Sequence, residues 1–341
     1  MTSILCCFSL LGCKHTSTAE GYDWSGTVSA PQEYPMEVYS GAIVSKDYSF
    51  AFDSIWGTQN TGWGNGGGTM SVGAREKAAP YQLEFTWYSL VEKKFYTGKW
   101  ALDKERIEHL FDQGFIDQDT HKKDTYSVFK VGLAPKGRVV LWLSGPGNQK
   151  EVGAFSAQSV IIKPEDAYSN AQYMFKDGYA ERMLNDPAYK TFTPAIREKI
   201  RAQGYPAAEV YDTYREKYVW KPVVVLPDGG HWMDFGMHTF NGEQESLFGD
   251  SLLNNQYEKR AIPKFTAFYW QDAAANRYGV WIDAYDEQEM FEIFQKLGQE
   301  TNIDLIMKVN SDNTRLSLAL KSADQQLPIT KATIRLSRKI E

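Results

Sequence analysis

Two histidines and an aspartate in the second half of the chain have the residue types of a metal or acid–base site. His231 and His238 are seven residues apart, and Asp234 lies between them. On a regular strand an odd separation places two side chains on opposite faces. A shared metal ion would therefore require a turn between the histidines, which Gly236 permits. Structural histidines are the alternative that the pattern favours, so the sequence predicts no metal site and no cofactor.

A serine in the same half has the surroundings of a hydrolytic nucleophile. Gly249-Asp250-Ser251-Leu252 matches the nucleophile block of many lipases and esterases. Such a serine needs a histidine to accept its proton and a carboxylate to orient that histidine. In those enzymes the histidine follows in a C-terminal block, whereas no histidine follows His238 here. We therefore expect no catalytic residue and no enzyme activity, although the fold could still bring His238 close to Ser251.

Other polar patterns are weaker. A general acid–base pair could come from among four carboxylates: Glu84, Glu92, Asp283 and Asp286. The sequence alone does not give the distances between them, and the alternative for all of them is that they lie on a solvated face. The glycine-rich run 57–68 lacks the Gly-Lys-Ser/Thr of a phosphate-binding loop, so it predicts a mobile hairpin loop. The turn Ser311 to Asn313 lacks the spacing and glycine of a calcium loop.

Aromatic residues offer a binding surface instead of a catalytic one. Trp63 lies at the tip of the glycine-rich run, and Trp232 and Trp281 lie in the second half. Tryptophan that becomes buried on association contributes strongly to binding energy. These three residues are the predicted contact surface.

The elements that would position these residues occur twice. Pro80 to Trp87 aligns with Pro263 to Trp270 at an offset of 263 − 80 = 183 residues. The same offset relates further pairs without a gap: Phe85/Phe268, Phe95/Tyr278, Asp103/Asp286, Ile107/Met290 and Phe111/Phe294. Each copy has the pattern of an antiparallel sheet followed by an amphipathic helix. Asp103 is the predicted N-cap of the first helix, and Asp286 with Glu289 forms the capping box of the second.

Residues 164–218 interrupt the strand pattern between the copies. Thr193 and Pro194 predict a helix start, and Gly204 predicts its end. A second helix is predicted over 206–218. The expected architecture is therefore α+β, with tandem units at 23–163 and 219–341 and a helical insert at 164–218.

Composition narrows the class of protein. The chain has 341 residues, 43% of them apolar and 14% aromatic, which is typical of a folded protein. Its formal net charge of −6 argues against nucleic acid as a partner. The cysteines are Cys6, Cys7 and Cys13, so a disulfide framework or a thiolate site in the body of the chain is excluded.

The N-terminal residues predict the cellular localisation of the protein. Residues 4–12 form a short apolar run, and Leu10 to Cys13 resembles a bacterial lipobox. This predicts a signal peptide over 1–12, lipidation of Cys13, and a polar tether over 13–22. Acyl chains on Cys13 would anchor the protein to a membrane, and Lys14 after the cysteine implies the outer membrane, facing the periplasm. The missing Lys or Arg before Cys13 departs from the pattern, and an ordinary apolar N-terminus is the alternative.

The first half contains two distinctive runs, FTWYSLVEKKFY at 85–96 and VGLAPKGRVVLWLSG at 131–145. Together with the lipobox, these runs resemble a Gram-negative lipoprotein family known as domain of unknown function 2931. The resemblance covers about 23–163 and extends more weakly into the second half. It carries no catalytic motif, and it implies a lipoprotein of a type sometimes encoded beside a secreted lipase effector as its immunity partner. We expect a lipid-anchored envelope protein that binds another protein, with an envelope hydrolase acting on lipid or glycan, or an assembly lipoprotein, as alternatives.

Overall fold

The structure, a computed structural model, describes residues 21–68 and 76–338. The predicted signal peptide, the lipidation site Cys13 and all but the end of the tether lie outside these residues. The described strands of the first half are β1 (Ser25–Ser29), β2 (Met36–Val44), β3 (Ser49–Asp53), β4 (Thr58–Gln59), β5 (Gln82–Ser89), β6 (Lys94–Ala101), β7 (Phe115–Ile116), β8 (Lys123–Asp124), β9 (Val128–Ala134), β10 (Arg138–Gly145), β11 (Asn148–Ser156) and β12 (Gln158–Val160).

The strands of the second half are β13 (Lys217–Val225), β14 (His231–Thr239), β15 (Gln244–Phe248), β16 (Glu258–Ala261), β17 (Pro263–Gln271), β18 (Arg277–Tyr285), β19 (Ile303–Val309), β20 (Leu316–Lys321), β21 (Gln326–Ile329) and β22 (Ala332–Arg338). The α-helices are α1 (Lys104–Gln113), α2 (Tyr179–Asn185), α3 (Pro194–Gln203), α4 (Val210–Thr213), α5 (Asp250–Leu253) and α6 (Glu287–Leu297). The α+β class predicted from the sequence is confirmed.

Three sheets carry most of the strands. The nine-stranded sheet has the order β1-β9-β10-β11-β15-β14-β17-β18-β22 and runs through both halves. A six-stranded sheet contains β12-β6-β5-β2-β3 with β4 beside β2, and a five-stranded sheet contains β16-β13-β19-β20-β21. Most pairs are antiparallel, as predicted. However, β1 pairs in parallel with β9, and β13 pairs in parallel with β19, so purely antiparallel sheets were a wrong expectation.

The two halves pair their strands in the same order. In the first half β3-β2-β5-β6-β12 form one sheet and β1-β9-β10-β11 form part of another; the second half repeats this with β15-β14-β17-β18-β22 and β13-β19-β20-β21. The halves join where β11 meets β15, at the residue pair Gln149–Gln244. Each half therefore contributes strands to two sheets, not to the single sheet predicted, and buries an apolar layer between them.

Each apolar layer has tryptophan at its centre. Trp87 in the first half and Trp270 in the second are almost fully buried. Trp87 stacks on Tyr96 and Trp270 on Tyr278, with ring centroids 5.4 Å and 5.1 Å apart. The gapless alignment of Phe95 with Tyr278 is wrong. Trp87 pairs with Tyr96 and Trp270 pairs with Tyr278, and the first spacing is one residue longer, so Tyr96 and not Phe95 corresponds to Tyr278.

Helices α1 and α6 begin where the sequence predicts. The carboxylates of Asp103 and Asp286 accept the backbone N–H of the third helical residue at 3.0 Å and 2.9 Å. The capping box is only half formed, because the Glu289 carboxylate accepts the N–H groups of Thr330 and Lys331 and does not return to Asp286. Glu289 thereby fastens α6 to the segment that leads into β22.

The insert covers part of the six-stranded sheet. Helix α3 begins at Pro194 after the N-cap Thr193 and ends before Gly204, as predicted. Earlier in the insert, Ala171 and Met174 pack against strand residues on the side of the six-stranded sheet that faces away from the first core. The insert therefore supplies an internal cover for one sheet face.

The second helix predicted in the insert is wrong in extent. Instead of a helix over 206–218, α4 makes a single turn and β13 already begins at Lys217. Tyr218 consequently lies in the second core, 5.1 Å from the ring of Phe294. Residues 217–222 alternate between buried and half-buried positions, and this strand period overrides the helical spacing of the tyrosines.

Candidate functional site

The side chain of Ser251 is hydrogen-bonded to the backbone beside it. Its hydroxyl, on the short helix α5, donates to the carbonyl of Phe248 at 2.9 Å and accepts the N–H of the same residue at 2.8 Å. His238 pairs with Gln244 at the opposite end of β15, and the four residues from there to Phe248 span about 13 Å. The fold therefore keeps the serine and the histidine apart.

The two histidines of β14 also lie apart. A bulge between Trp232 and Asp234 shifts the register, so His231 and His238 lie on the same face and not on opposite faces as expected. They nevertheless occupy opposite ends of the strand, about 20 Å apart. The described residues contain no group of three or more potential metal-binding side chains.

The remaining carboxylates each have a structural partner. Glu84 pairs with Lys99 at 3.5 Å, and Asp283 pairs with Arg335. Glu92 accepts the hydroxyl of Tyr96 at 3.0 Å. The fourth, Asp286, is the N-cap already described. In the turn at 311–313, the side chain of Asn313 accepts the indole N–H of Trp270 at 3.1 Å.

Trp63 is not an exposed contact residue. It is 7% exposed and packs against Trp142 and Tyr211, with ring centroids 4.8 Å and 5.1 Å away. The glycine-rich run around it is hydrogen-bonded to the nine-stranded sheet: the N–H of Gly62 donates to Ala30 and the N–H of Gly67 donates to Val28. The expectation of an exposed Trp63 at the tip of a hairpin is therefore wrong, since the run lies against the sheet.

The other two tryptophans have different surroundings. Trp232 packs against the edge of the second core, and its indole N–H donates to the Asp234 carbonyl at 2.7 Å. Trp281 lies on the opposite side of the sheet, 5.7 Å from Tyr269 in an edge-to-face arrangement. Of the three predicted contact residues, Trp281 alone lies on a sheet face directed away from the cores.

We define the outer face as the side of the nine-stranded sheet that faces away from the second core, over β14, β17 and β18. Because strand residues alternate between faces, the register places the following residues there: Gly236, His238, Phe265, Ala267, Tyr269 and Trp281. The middle of this face is open, since a Cβ added at Gly236 would meet no atom within 4 Å. Aromatic rings stand on either side of the open floor.

One end of the outer face carries basic side chains. The register of β14 and β17 shifts between His238 and Thr239, which leaves Lys264 as the extra residue of a bulge. The Lys264 ammonium reaches over the face and donates to the Trp63 carbonyl at 3.5 Å. Burial lowers the pKa of Lys264 and of Lys130 on β9. Burial, and then the charges of these two lysines, lower the pKa of His238 to about 4, so His238 is neutral near pH 7.

The other end carries a carboxylate. Burial raises the pKa of Asp234 to about 6, although the backbone N–H of Tyr269 donates to it at 3.1 Å and Gln118 also hydrogen-bonds to it. The loop that carries Gln118 comes from the first half, and its His121 stacks on Phe248 of β15 with ring centroids 4.5 Å apart. This loop bounds the outer face at the Asp234 end.

The arrangement is suited to contact with another molecule. The outer face combines aromatic rings, a small-residue floor and the half-buried ammonium group of Lys264, and Lys130 of β9 lies near enough to lower the pKa of His238; no serine or cysteine lies beside a base among the residues that form the face. Trp281 was predicted from the sequence, whereas Lys130, Lys264, Phe265 and Tyr269 were not. One signal was available, because β17 has aromatic residues at both odd and even positions, and a strand that is apolar on both sides usually has both sides covered.

The comparisons identify a family and no relative of defined activity. The family model described as "Protein of unknown function (DUF2931)" matches residues 13–207, which includes Lys130 and ends before the β14–β18 part of the outer face. No curated protein and no solved structure matches the chain. Among the described residues, no helix is long and apolar enough to cross a membrane.

Proposed function

Because the chain belongs to the DUF2931 family, whose description names no activity, we propose a function from the geometry: it is a lipid-anchored envelope protein that binds another protein through the outer face. The single observation that carries this proposal is the open aromatic face around Gly236, Tyr269 and Trp281. Open faces of sheets are normally polar. Aromatic residues on such a face indicate an interface.

A comparison within the chain strengthens this argument. On β17, Tyr269 and Ala267 lie one and three residues before the buried Trp270 and are on the outer face. Ala267 pairs with Trp281 on β18. One and three residues before Trp87, the strand β5 has Thr86 and Glu84, and Glu84 pairs with Lys99. The same places on the same kind of strand pair are therefore polar in the first half: Thr86, Glu84 and Lys99 in place of Tyr269, Ala267 and Trp281. The fold does not require aromatic residues there.

We further propose that the halves are tandem copies of one unit. The repeated order of strand pairing, the matched tryptophans and the matched N-caps support this. In the first half the insert covers part of the six-stranded sheet. A partner protein would cover the corresponding sheet face of the second half.

The lipid anchor is a separate part of the proposal. Cys13 follows the lipobox-like residues, and the family match begins at this residue. Lys14 supports retention at the outer membrane, on its periplasmic side. Metabolic labelling with a fatty acid analogue should label the protein and leave a Cys13→Ala variant unlabelled. An equal signal from the variant would refute lipidation at Cys13.

Immunity against a secreted lipase effector is the concrete form of the binding proposal. Crosslinked capture of the lipidated protein from bacterial envelopes, followed by mass spectrometry, tests it. The variant Tyr269→Thr with Trp281→Lys installs the residues that the first half carries at these places, so it should keep the fold and lose the partner. Tyr189→Thr, at a 50% exposed tyrosine in the insert, is the matched control.

Each result of the capture has a defined meaning. Recovery of a secreted toxin that depends on the outer face supports immunity. Recovery of resident envelope proteins alone refutes immunity and favours an assembly role. Equal recovery with the double variant refutes the outer face as the binding surface.

A further inference from the structure

Among the described residues, neither Lys130 nor Lys264 has an acidic partner. Both side chains are half-buried, and burial is the cause of the lowered pKa of each, with no carboxylate compensating for it. The salt bridges among the described residues include neither lysine. The Lys264 ammonium has one long hydrogen bond, to the Trp63 carbonyl, for its three N–H donors.

His238 does not relieve this charge. It lies beside Phe265 with ring centroids 5.1 Å apart, and both lysines are close enough for their charges to lower its pKa. The carboxylate on the same face, Asp234, lies at the far end of β14, four residues away. The end of the outer face near Lys264 therefore holds basic side chains with no carboxylate beside them among the described residues, on a protein whose net charge is −6.

Burying an ammonium group without a partner destabilises the folded protein. A methionine would fill the same space without this cost. Two such groups on one face, next to the open aromatic floor, are explained if an anion completes the site when a ligand binds.

We propose that Lys130 and Lys264 bind carboxylate groups of an acidic segment of the partner protein, whose apolar side chains rest on Phe265, Tyr269 and Trp281. This inference rests on the proposed protein-binding function and names the chemistry of the partner. Charge complementarity gives the acidic character, and ion pairs to half-buried lysines give the segment a fixed register.

The shape of the site selects a protein over a small amphiphile. The floor at Gly236 is open to solvent, whereas sites for small molecules enclose most of the ligand surface. A fatty acid on this face would leave its chain in water. In the first half, moreover, the cover on the face away from the core is polypeptide, since Ala171 and Met174 of the insert pack there.

The first test measures stability and binding together on the full-length protein in detergent. Lys130→Met and Lys264→Met should each raise the midpoint of thermal unfolding, because each removes an uncompensated charge. Each should also weaken binding of poly-L-glutamate at low salt by about tenfold or more, the effect of losing one charged hydrogen bond. Lys264→Arg keeps the charge and should retain binding. Lys308→Met, at an exposed lysine on β19, is the matched control and should change neither quantity.

Specific results would overturn the inference. Failure of the wild-type protein to bind poly-L-glutamate would do so, and so would an equal loss of binding in Lys308→Met. Binding to phosphatidylglycerol vesicles or to inorganic phosphate, in preference to poly-L-glutamate, would assign the lysines to a lipid headgroup or a free anion. Lower unfolding midpoints for both Met variants would assign them a purely structural role.

Failure of this inference is distinguishable from failure of the proposed function. Crosslinked capture that is lost in Tyr269→Thr with Trp281→Lys, yet persists in Lys130→Met with Lys264→Met, would retain protein binding and reject the carboxylate contacts. Poly-L-glutamate binding without any captured partner would retain the anion site and reject the proposed function.

Discussion

Replacing Asp234 with asparagine should stabilise the protein at neutral pH. Asp234 lies on the outer face near Tyr269, and burial raises its pKa from 3.8 to about 6. Its raised pKa means that the folded state holds the proton more tightly than the unfolded state. The stability from this proton is present below about pH 3.8 and is lost as the pH rises through about 6. Asparagine stays neutral throughout and can still accept the Tyr269 N–H.

The size of the effect follows from the shift. A rise from 3.8 to about 6 corresponds to about 3 kcal/mol between the two protonation states. Because the carboxyl group is only half-buried, solvent screening reduces the expected gain to roughly 1–2 kcal/mol. At pH 7.5 the Asp234→Asn variant should therefore unfold at a higher urea concentration than the wild type. At pH 4 the two proteins should be nearly equal in stability.

Urea unfolding followed by tryptophan fluorescence, at several pH values between 4 and 7.5, measures this difference. Asp324→Asn, at an exposed turn position, controls for the loss of one negative charge. A difference between wild type and Asp234→Asn that stays constant across the pH range would refute the assignment of the shift to burial. A variant that is less stable at every pH would show that the carboxylate has a stabilising partner.

Four further substitutions test the packing and the serine. Gly242→Ala should cost about 1–3 kcal/mol in urea unfolding, because φ is +91° and the new Cβ would lie 2.9 Å from the Trp142 ring. Gly236→Ala, at the open floor, should stay within about 0.5 kcal/mol of wild type. Trp63→Ala should cost about 3–5 kcal/mol by the same measurement, because the indole is buried, and a near-neutral result would return Trp63 to the exposed surface. Ser251→Ala should lower the free energy of unfolding by about 1 kcal/mol and leave partner capture unchanged. Loss of a phenotype at unchanged stability would support the alternative hydrolase function.

Local chemistry made parts of the fold predictable. The N-caps Asp103, Thr193 and Asp286 are recognisable because a short polar side chain before an apolar helical pattern satisfies the first free N–H groups. The matched Trp87 and Trp270 are recognisable because both halves need a large ring at the same depth of a core. These features depend on a few neighbouring residues, which the sequence displays directly.

Other parts depend on contacts between distant segments. The halves share one sheet through the single pair Gln149–Gln244, and no local pattern reports such a join. The burial of Trp63 follows from packing against Tyr211, which lies far along the chain. The bulge at Lys264 arises from the register with β14 and turns an ordinary lysine into part of a surface. The candidate site was therefore only partly predictable, through Trp281.

The buried charges at the junction of the two halves differ from those near the outer face, because they have counter-ions. At the junction of the halves, buried charges are paired: Arg260 with Glu245 at 2.8 Å, Arg215 with Glu151 at 2.7 Å, and Lys217 with Glu243 at 2.8 Å. At these three places a counter-ion accompanies each buried charge. Lys130 and Lys264, near one end of the outer face, have no counter-ion among the described residues, the pKa of Asp234 is raised, and aromatic rings border an open floor. Each feature costs stability in the isolated protein, and an acidic, partly apolar partner segment would offset the unpaired lysines and the half-buried rings together. Their occurrence on one face is the physical reason to look for a partner there.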